Sequence, residues 1–594
     1  MDNLQNFTRT DYCGNFRMTH VGQTVSVCGW VQRARNLGGL MFIDLRDRAG
    51  ILQLAFDDAT DPAVFEKAAG FKSEYVIAAT GVIREREAKT NKIPTGEVEL
   101  YVSEVRLLGR SETPPFLIED NCNANENLRL QYRYLDLRRP ELQKKLLFRH
   151  KVAKITRDYF DENGFIEIET PTLIGSTPEG ARDFLVPSRI HNGSFYALPQ
   201  SPQIYKQLTM VSGFDRYLQI ARCYRDEDLR ADRQPEFTQI DMEMSFVTME
   251  DVLSMGEGYM RRLFKEAMGI DLGPIPRMTY AEAMESYGTD KPDTRFDMKI
   301  FDLADIVKDC GFGVFQNAIS AGGGVHGICA KNCVTVLTRK ELDKLTDYVR
   351  GMGGGGIAWV RMNEDGTRAS SFQKFMTDEE MDAIIRRAGA EAGDVIMIIS
   401  DAKYNRGLSQ LGQLRLTVAK KLNIIPRDKF NLLWIVEFPF FDWDEDANTW
   451  VAMHHPFTMP MEECLPYLED DSRKGEVRAQ CYDMVLNGIE LSSGSIRVTD
   501  PELQSRIFRL LGLSEEEAEQ KFGFLTGAFR YGAPPHGGMA LGLDRIVMQL
   551  TDSESLRDVV AFPKLQNATE PMTGCPGPVS GEQLKELGIA VVTE

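Results

Sequence analysis

The stretch CYRDEDLRADRQPEFTQIDME, residues 223–243, decides how this chain is read. Nearly half of it is charged, yet its flanks FDRYLQIARCY (214–224) and FTQIDMEMSF (237–246) alternate as neighbouring strands of one antiparallel sheet do. The pattern predicts a hairpin with a long charged loop. Strand periodicity places Arg225 and Glu227 on one side of the outgoing strand, and Asp241 and Glu243 on one side of the return strand. An arginine at a strand end is a planar fork for a phosphate or a carboxylate.

Around this hairpin lie 594 residues, enough for three or four cores in series. With 43% hydrophobic and 26% charged residues the chain has the proportions of a folded globular protein, which excludes a largely disordered one. No run of eighteen uncharged apolar residues occurs, and the opening MDNLQNFTRTDYCGNF lacks the basic and apolar parts of a secretory signal. The expectation is a cytoplasmic protein without a membrane partner. The 10 cysteines are scattered, with only Cys329 and Cys333 close together, so neither a disulfide framework nor a zinc quartet is read from them. A net charge of −19, from 69 basic and 88 acidic residues, argues against nonspecific coating of nucleic acid but leaves room for a local basic face. The run Gly351–Gly356 has the form G-x-G-x-x-G. It precedes the strand-like IAWVRM instead of following a strand and opening a helix, so it is read as a turn. No G-x-x-x-x-G-K-[ST] occurs, so any ATP is bound without a P-loop.

Residues 24–110 form several short alternating runs cut by Gly, Asn and Asp, the texture of a small closed barrel. Its first turn region gathers Arg33, Arg35, Arg46 and Arg48 beside Phe42 and Gln53. Cations for phosphates with an aromatic and an amide for unstacked bases are what a reader of single-stranded RNA needs. The unperiodic stretch 111–128, rich in Pro, Asn and acidic residues, reads as a hinge. A basic helical segment follows and stops at Asn163-Gly164. From 291 to about 425 the texture changes, and the earlier character returns with LLWIVEFPFF, which implies one domain interrupted by another.

The 223–243 segment resembles motif 2 of the class II aminoacyl-tRNA synthetases, in a spelling similar to the bacterial type of their aspartate-charging branch. GFIEIETPTL (164–173), ending near Pro171, is similar to motif 1, and GGMALGLDRIVM (537–548) to motif 3. The resemblance implies an α+β multidomain chain: an N-terminal OB-fold β-barrel for the anticodon (1–112), a hinge (113–140), and a class II antiparallel-sheet catalytic domain in two parts (141–290 and 426–564). An α+β domain is inserted at 291–425, and 565–594 is a C-terminal extension. It further implies a homodimer that uses ATP and Mg²⁺ to join L-aspartate to tRNA(Asp) through an aspartyl-adenylate. Adenylation brings together two anions, so charge must be neutralised and the groups aligned. By the resemblance, Arg225 lies between carboxylate and α-phosphate, and Asp226, Glu227 and Gln234 contact ATP. Phe237 stacks under adenine, and Gly542, Leu543, Asp544 and Arg545 face the nucleotide with Arg545 on the γ-phosphate. The catalytic roles fall to Arg225 and Arg545, and Asp483 and Glu490 in CYDMVLNGIELSSGS hold Mg²⁺, a hard cation suited to oxygen ligands.

A negatively charged substrate side chain needs fixed cations, and the matching positions carry Lys206 in SPQIYKQL and Arg497 in GSIRV. An asparagine pocket has no use for both. The resemblance offers Glu179, Ser201, Gln203 and Asp241 as acceptors for the substrate ammonium. It puts His454 of AMHHPFT at the amino acid as an imidazolium adding to the positive pocket, while His455 reads equally as a structural histidine. The STPEGARDFLVPSR loop (176–189) reads as a mobile lid. In the barrel, Phe42 and Gln53 are assigned to anticodon bases and Arg33 to the RNA. Leu37, before Gly38-Gly39, stands where relaxed enzymes that charge both tRNA(Asp) and tRNA(Asn) tend to carry His, and leans toward the strict form. Two other readings stay open: such a relaxed enzyme, and a paralogue that kept the fold and lost tRNA charging.

Overall fold

The computed structural model describes residues 1–176, 180–229, 231–444 and 448–592. The chain packs as two units, one of residues 1–150, 229–234 and 554–580, the other of 151–228, 235–553 and 581–594.

In the first unit, strands β1 (Thr24–Asn36), β2 (Met41–Asp47), β3 (Gly50–Phe56), β4 (Val76–Glu85) and β5 (Val98–Gly109) close into a barrel in the order β1-β2-β3-β5-β4. The alternation seen in the sequence is the cause. Val25, Val27 and Val31 of β1 point inward with Ile43, Leu45, Leu52, Leu54, Ile77 and Leu100, and closure leaves no strand edge unpaired. A long helix, α1 (Pro140–Glu162), follows the hinge region.

The second unit is built on an eight-stranded sheet. Its strands are β6 (Ile166–Glu167), β7 (Arg216–Tyr224), β8 (Glu236–Ser245), β9 (Arg277–Thr279), β10 (Leu432–Val436), β11 (Cys481–Leu486), β12 (Ile489–Ile496) and β13 (His536–Gly542), in the order β9-β10-β11-β12-β13-β8-β7-β6. Only the two edge pairs, β9 with β10 and β6 with β7, are parallel. β7 and β8 form the expected hairpin, in register from Glu236 opposite Tyr224 to Met244 opposite Arg216. Helices α2 (Gln203–Val211), α3 (Tyr280–Tyr287), α4 (Tyr404–Leu422) and α5 (Leu543–Leu550) carry side chains discussed below. Between β9 and β10 the chain makes a separate five-stranded sheet of Phe301–Asp302, Gly324–Ala330, Val395–Asp401, Ala358–Met362 and Arg368–Ser370. A helix ends at Gly351 and the strand Ala358–Met362 follows, so the glycine run is the turn its surroundings foretold.

Candidate active site

Alternation along β8 turns Asp241 and Glu243 to the same face, and two cations from distant segments meet them there. Lys206, on α2, sets its ammonium 3.1 Å from Asp241 Oδ1 and 3.5 Å from Glu243 Oε2. Arg497, just beyond β12, grips Glu243 through Nε at 2.9 Å and Nη2 at 3.2 Å. None of the four is more than 3% exposed, so each charge depends wholly on its partners. Burial pushes the Glu243 carboxyl up, but Arg497 and Lys206 outweigh it and hold Glu243 below its ordinary value. For Asp241 burial wins over Lys206 and the carboxyl is raised, and its Oδ2 is buried without a hydrogen-bond partner. The Nη1 of Arg497 donates to Ser495 Oγ at 2.6 Å and to His455 Nε2 at 2.7 Å. The guanidinium thus keeps one N–H and the ammonium at least one beyond these contacts, donors matched to the two oxygens of one more carboxylate.

A second charged cluster lies on β11 and β12. Asp483 is buried, its Oδ1 has no hydrogen-bond partner, and burial together with the nearby Glu490 charge pushes its carboxyl well up. Burial also opposes ionisation of Glu490, but Lys291 and Arg545 prevail and lower it. Lys291 Nζ is 2.7 Å from Glu490 Oε2, and Arg545 Nη1 is 3.6 Å from Oε1 and donates to the Glu490 carbonyl at 3.0 Å. Among the described residues no group of three or more His, Cys, Asp or Glu is arranged to hold a metal. Mg²⁺ is usually held by one or two carboxylates plus substrate phosphates, and a buried carboxylate with one unpartnered oxygen, in the same cluster as a second carboxylate, fits that use.

The remaining nucleotide-side residues fall into place unevenly. Arg225 follows β7, its guanidinium 5.1 Å from the Phe237 ring centroid, with a buried Nε that bonds nothing. Asp226 is tied to Arg182, whose carbonyl accepts from the Asp226 amide at 3.0 Å, and Glu227 lies in the same loop. Asp544 is committed to structure: buried at the start of α5, it accepts from the Thr238 amide at 2.9 Å and so pins α5 to β8. Gly542 and Leu543 form the β13–α5 junction beside it. Gln234 belongs to the first unit, where its side-chain amide bonds the Lys564 backbone in both directions at 3.2 and 2.8 Å. Gln203 is buried with Nε2 unpartnered, and Ser201 Oγ accepts from the Gln203 backbone N–H at 3.3 Å. Glu179 lies outside the described residues.

The histidine pair corrects one expectation. Burial, reinforced by Lys291 against an opposing Glu490, lowers His454 to about 4, and burial with Arg497 carries His455 well below the ordinary histidine value. Neither is an imidazolium at neutral pH. His455 accepts from Arg497, and His454 stacks edgewise on Phe438 at 4.8 Å with Nε2 unpartnered. Glu243 and Lys291 were not anticipated as site residues. The i, i+2 relation of Glu243 to Asp241 could have found the first, whereas nothing local marks the second.

On the barrel, Gln53 is a buried hub. Its Oε1 accepts from Arg86 at 2.8 Å and Arg35 at 3.3 Å, and its Nε2 donates to Glu99 at 2.6 Å. Arg35 sits 5.9 Å over the half-buried Phe42 ring, and Arg33 and Leu37 are exposed. Arg46, grouped above with the phosphate-binding cations, is instead buried on Glu74 through two bonds of 2.9 and 2.8 Å, a structural pair. Arg48 is laid on Tyr12 at 4.4 Å.

A closed OB-type barrel and an antiparallel sheet bearing this hairpin and the β13–α5 junction define a class II tRNA synthetase. Residues 125–566 match the family described as tRNA synthetases class II (D, K and N), and 25–108 match the OB-fold nucleic acid binding domain. The chain belongs to this class II family. It is 55% identical to the "Aspartate--tRNA ligase" of Ruminiclostridium cellulolyticum, with 100% of both chains covered. It is 51% identical to that of Clostridium perfringens, covering 99% of this chain and 98% of that one. With the "Aspartate--tRNA(Asp/Asn) ligase" of Lachnoclostridium phytofermentans it shares 50% over 99% and 98%. Among solved structures its fold is similar to asparaginyl-tRNA synthetase from Pyrococcus horikoshii complexed with asparaginyl-adenylate. The TM-score is 0.59 at 17% identity, covering 93% of this chain and 97% of that one.

Proposed function

We propose that this chain attaches L-aspartate to tRNA(Asp) in two steps, first joining the aspartate carboxylate to the α-phosphate of ATP with release of pyrophosphate, then passing the acyl group to the 3′ end of the tRNA. The observation that carries the reading is the convergence of Lys206 and Arg497 on Glu243, within a chain whose relatives are aspartate–tRNA ligases. Glu243 holds both cations in place before substrate arrives, and their spare N–H groups take the substrate side-chain carboxylate. Asn there would leave those donors facing an amide, a mismatch that such polar sites reject by roughly 10⁴-fold or more. Asp241, with Ser201, Gln203 and Glu179, receives the substrate ammonium, and neutral His454 offers a hydrogen bond at the amino acid.

Arg225 screens the two reacting anions and aligns the attacking oxygen on the α-phosphate, while Phe237 supports the adenine. Asp226 and Glu227 help hold the nucleotide, and Arg545, at the start of α5, takes the γ-phosphate. Asp483 and Glu490 would hold Mg²⁺, which supplies charge neutralisation to the phosphates. No side-chain nucleophile is needed, since both attacking oxygens come from substrates. On the barrel, Arg33, Leu37, Phe42 and Gln53 meet the anticodon, Phe42 by stacking. The 1–112, 141–290 with 426–564, and 291–425 segments serve as anticodon, catalytic and inserted domains. We further propose a homodimer, supported by the exposure of Ile166 (48%) and Leu173 (52%) in the segment similar to motif 1, and a cytoplasmic location, supported by the lack of any described helix long and apolar enough to cross a membrane.

Aspartate-dependent exchange of labelled pyrophosphate into ATP tests the first step. Side-by-side charging of tRNA(Asp) and tRNA(Asn) tests the second. Exchange with aspartate alone, followed by acylation of tRNA(Asp) alone, is expected, and a lack of exchange overturns the reading.

A further inference from the structure

Lys291 is the cation that no role has yet claimed. It lies in the connector that leaves α3 and runs to the strand Phe301–Asp302 of the five-stranded sheet, and it ion-pairs with Glu490 at 2.7 Å. Asp483, the other carboxylate of this cluster, has a buried Oδ1 that bonds nothing. An ammonium in contact with a carboxylate oxygen occupies the position a hard cation would take, so the two compete for Glu490.

The connector is itself fixed from the far side. Arg415, fully buried on α4, donates to four of its carbonyls: Met298 at 2.9 Å, Phe296 at 2.9 Å, Asp293 at 3.1 Å and Asp297 at 3.2 Å. Its guanidinium also lies over the rings of Phe296 at 3.9 Å and Tyr287 at 4.9 Å. α4 presses on the start of the same connector so closely that a Cβ on Gly288, at φ +67°, would stand 2.0 Å from the Leu408 carbonyl, and one on Gly412 2.5 Å from that of Tyr287. Asn431 adds a bond to the Thr294 carbonyl at 3.0 Å. A chain of rigid contacts therefore runs from α4, through the connector, to Lys291 and Glu490.

We propose that Lys291 is a positioning residue that fills the place of the divalent cation on Glu490 until nucleotide and metal arrive, and that Arg415 sets its reach. By this arrangement the segment inserted between β9 and β10 governs how readily the two carboxylates take a metal. The proposal rests on the adenylation reading for its biological meaning, and its physical content is tested without catalysis.

The test is Mn²⁺ binding to the full-length, nucleotide-free protein, followed by electron paramagnetic resonance, with Asp483→Asn as the control that locates the site. Lys291→Met, a change at a partly exposed side chain, is expected to bind Mn²⁺ about tenfold more tightly, the scale of an ordinary coupling between two sites. Lys291→Arg should return toward the parent value. Arg415→Lys, which keeps a cation but not the four-way fork, should tighten Mn²⁺ severalfold and add little to Lys291→Met. A merely structural role for Arg415 would lower the melting temperature and leave Mn²⁺ affinity unmoved, and that result removes Arg415 from the proposal. Unchanged or weaker Mn²⁺ binding by Lys291→Met overturns the whole of it. So does a pure rise in the KM for ATP, which would make Lys291 a phosphate ligand. A protein that binds Mn²⁺ as expected but shows no aspartate-dependent exchange would contradict the function and not this inference.

Discussion

The β8 cluster and the barrel face both hold cations against carboxylates and amides, and they differ in their access to water. Lys206, Asp241, Glu243 and Arg497 are sealed from solvent, so their attraction is scarcely screened and a missing partner leaves a stranded charge. In the network around Gln53 on the barrel, Gln53 and Glu99 are buried, while the side chains of Arg35 and Arg84 are 37% and 38% exposed. Such pairs re-form at little cost and are weakened by salt. The first arrangement suits choosing one small anion by fixed geometry. The second suits a flexible polyanion whose bases must be accommodated as they unstack.

The sharpest break in that contrast is Glu243→Gln, which is expected to strand Lys206 and Arg497. Removing one member of a buried ion pair costs on the order of 3–5 kcal/mol, which should appear as a lowered melting temperature. Pyrophosphate exchange should fall by about 10³-fold or more as the cations lose their alignment. Arg497→Lys comes next. It keeps the charge but not the bidentate grip on Glu243 or the bond to His455, and a loss of about 10²-fold in kcat/KM for aspartate is expected, with asparagine rejected less strongly. The barrel should answer differently. Phe42→Ala should raise the KM for tRNA by about tenfold, within the range for one lost base stack, and should leave tRNA-independent exchange unchanged. A barrel variant that damaged exchange would erase the distinction drawn here.

The parts of this molecule that were legible in the sequence are those written in local spacing. Two-residue alternation gave the barrel and the β7–β8 hairpin, and the order of strand and helix around Gly351–Gly356 disposed of a dinucleotide site. Resemblance named Lys206 and Arg497, but not what holds them. Glu243 and Arg497 are 254 residues apart in the chain, and no periodicity spans such a gap. Arg46 looked like its neighbours because its partner Glu74 is 28 residues away, in the segment just before β4. Lys291 sits in a connector without period, where only the three-dimensional path reveals its neighbour. The expected imidazolium failed for a related reason: a histidine's charge depends on the burial and the cations around it, and neither is visible in the letters AMHHPFT.

A third kind of buried polar group sharpens the comparison, with the smallest expected effect. His326, in the strand Gly324–Ala330, is buried like the β8 cluster, yet its Nε2 has no hydrogen-bond partner and the nearest carboxylate oxygen, on Asp302, is 3.9 Å away. Burial lowers it from 6.5, and Asp302 and Glu285 only partly oppose the shift. The unfolded chain therefore takes up this proton at a higher pH than the folded one. The folded state's advantage is present in full above the unfolded value and is lost as pH falls below about 6.5 toward the depressed folded value. His326→Phe keeps an aromatic edge toward Tyr404, whose ring now lies 5.0 Å away, and removes the titration. Relative to the parent, this variant should gain about 2 °C in melting temperature between pH 7 and pH 5. A constant difference across that range would mean that the buried ring finds a proton acceptor on folding, and the contrast between paired and unpaired burial would lose its clearest case.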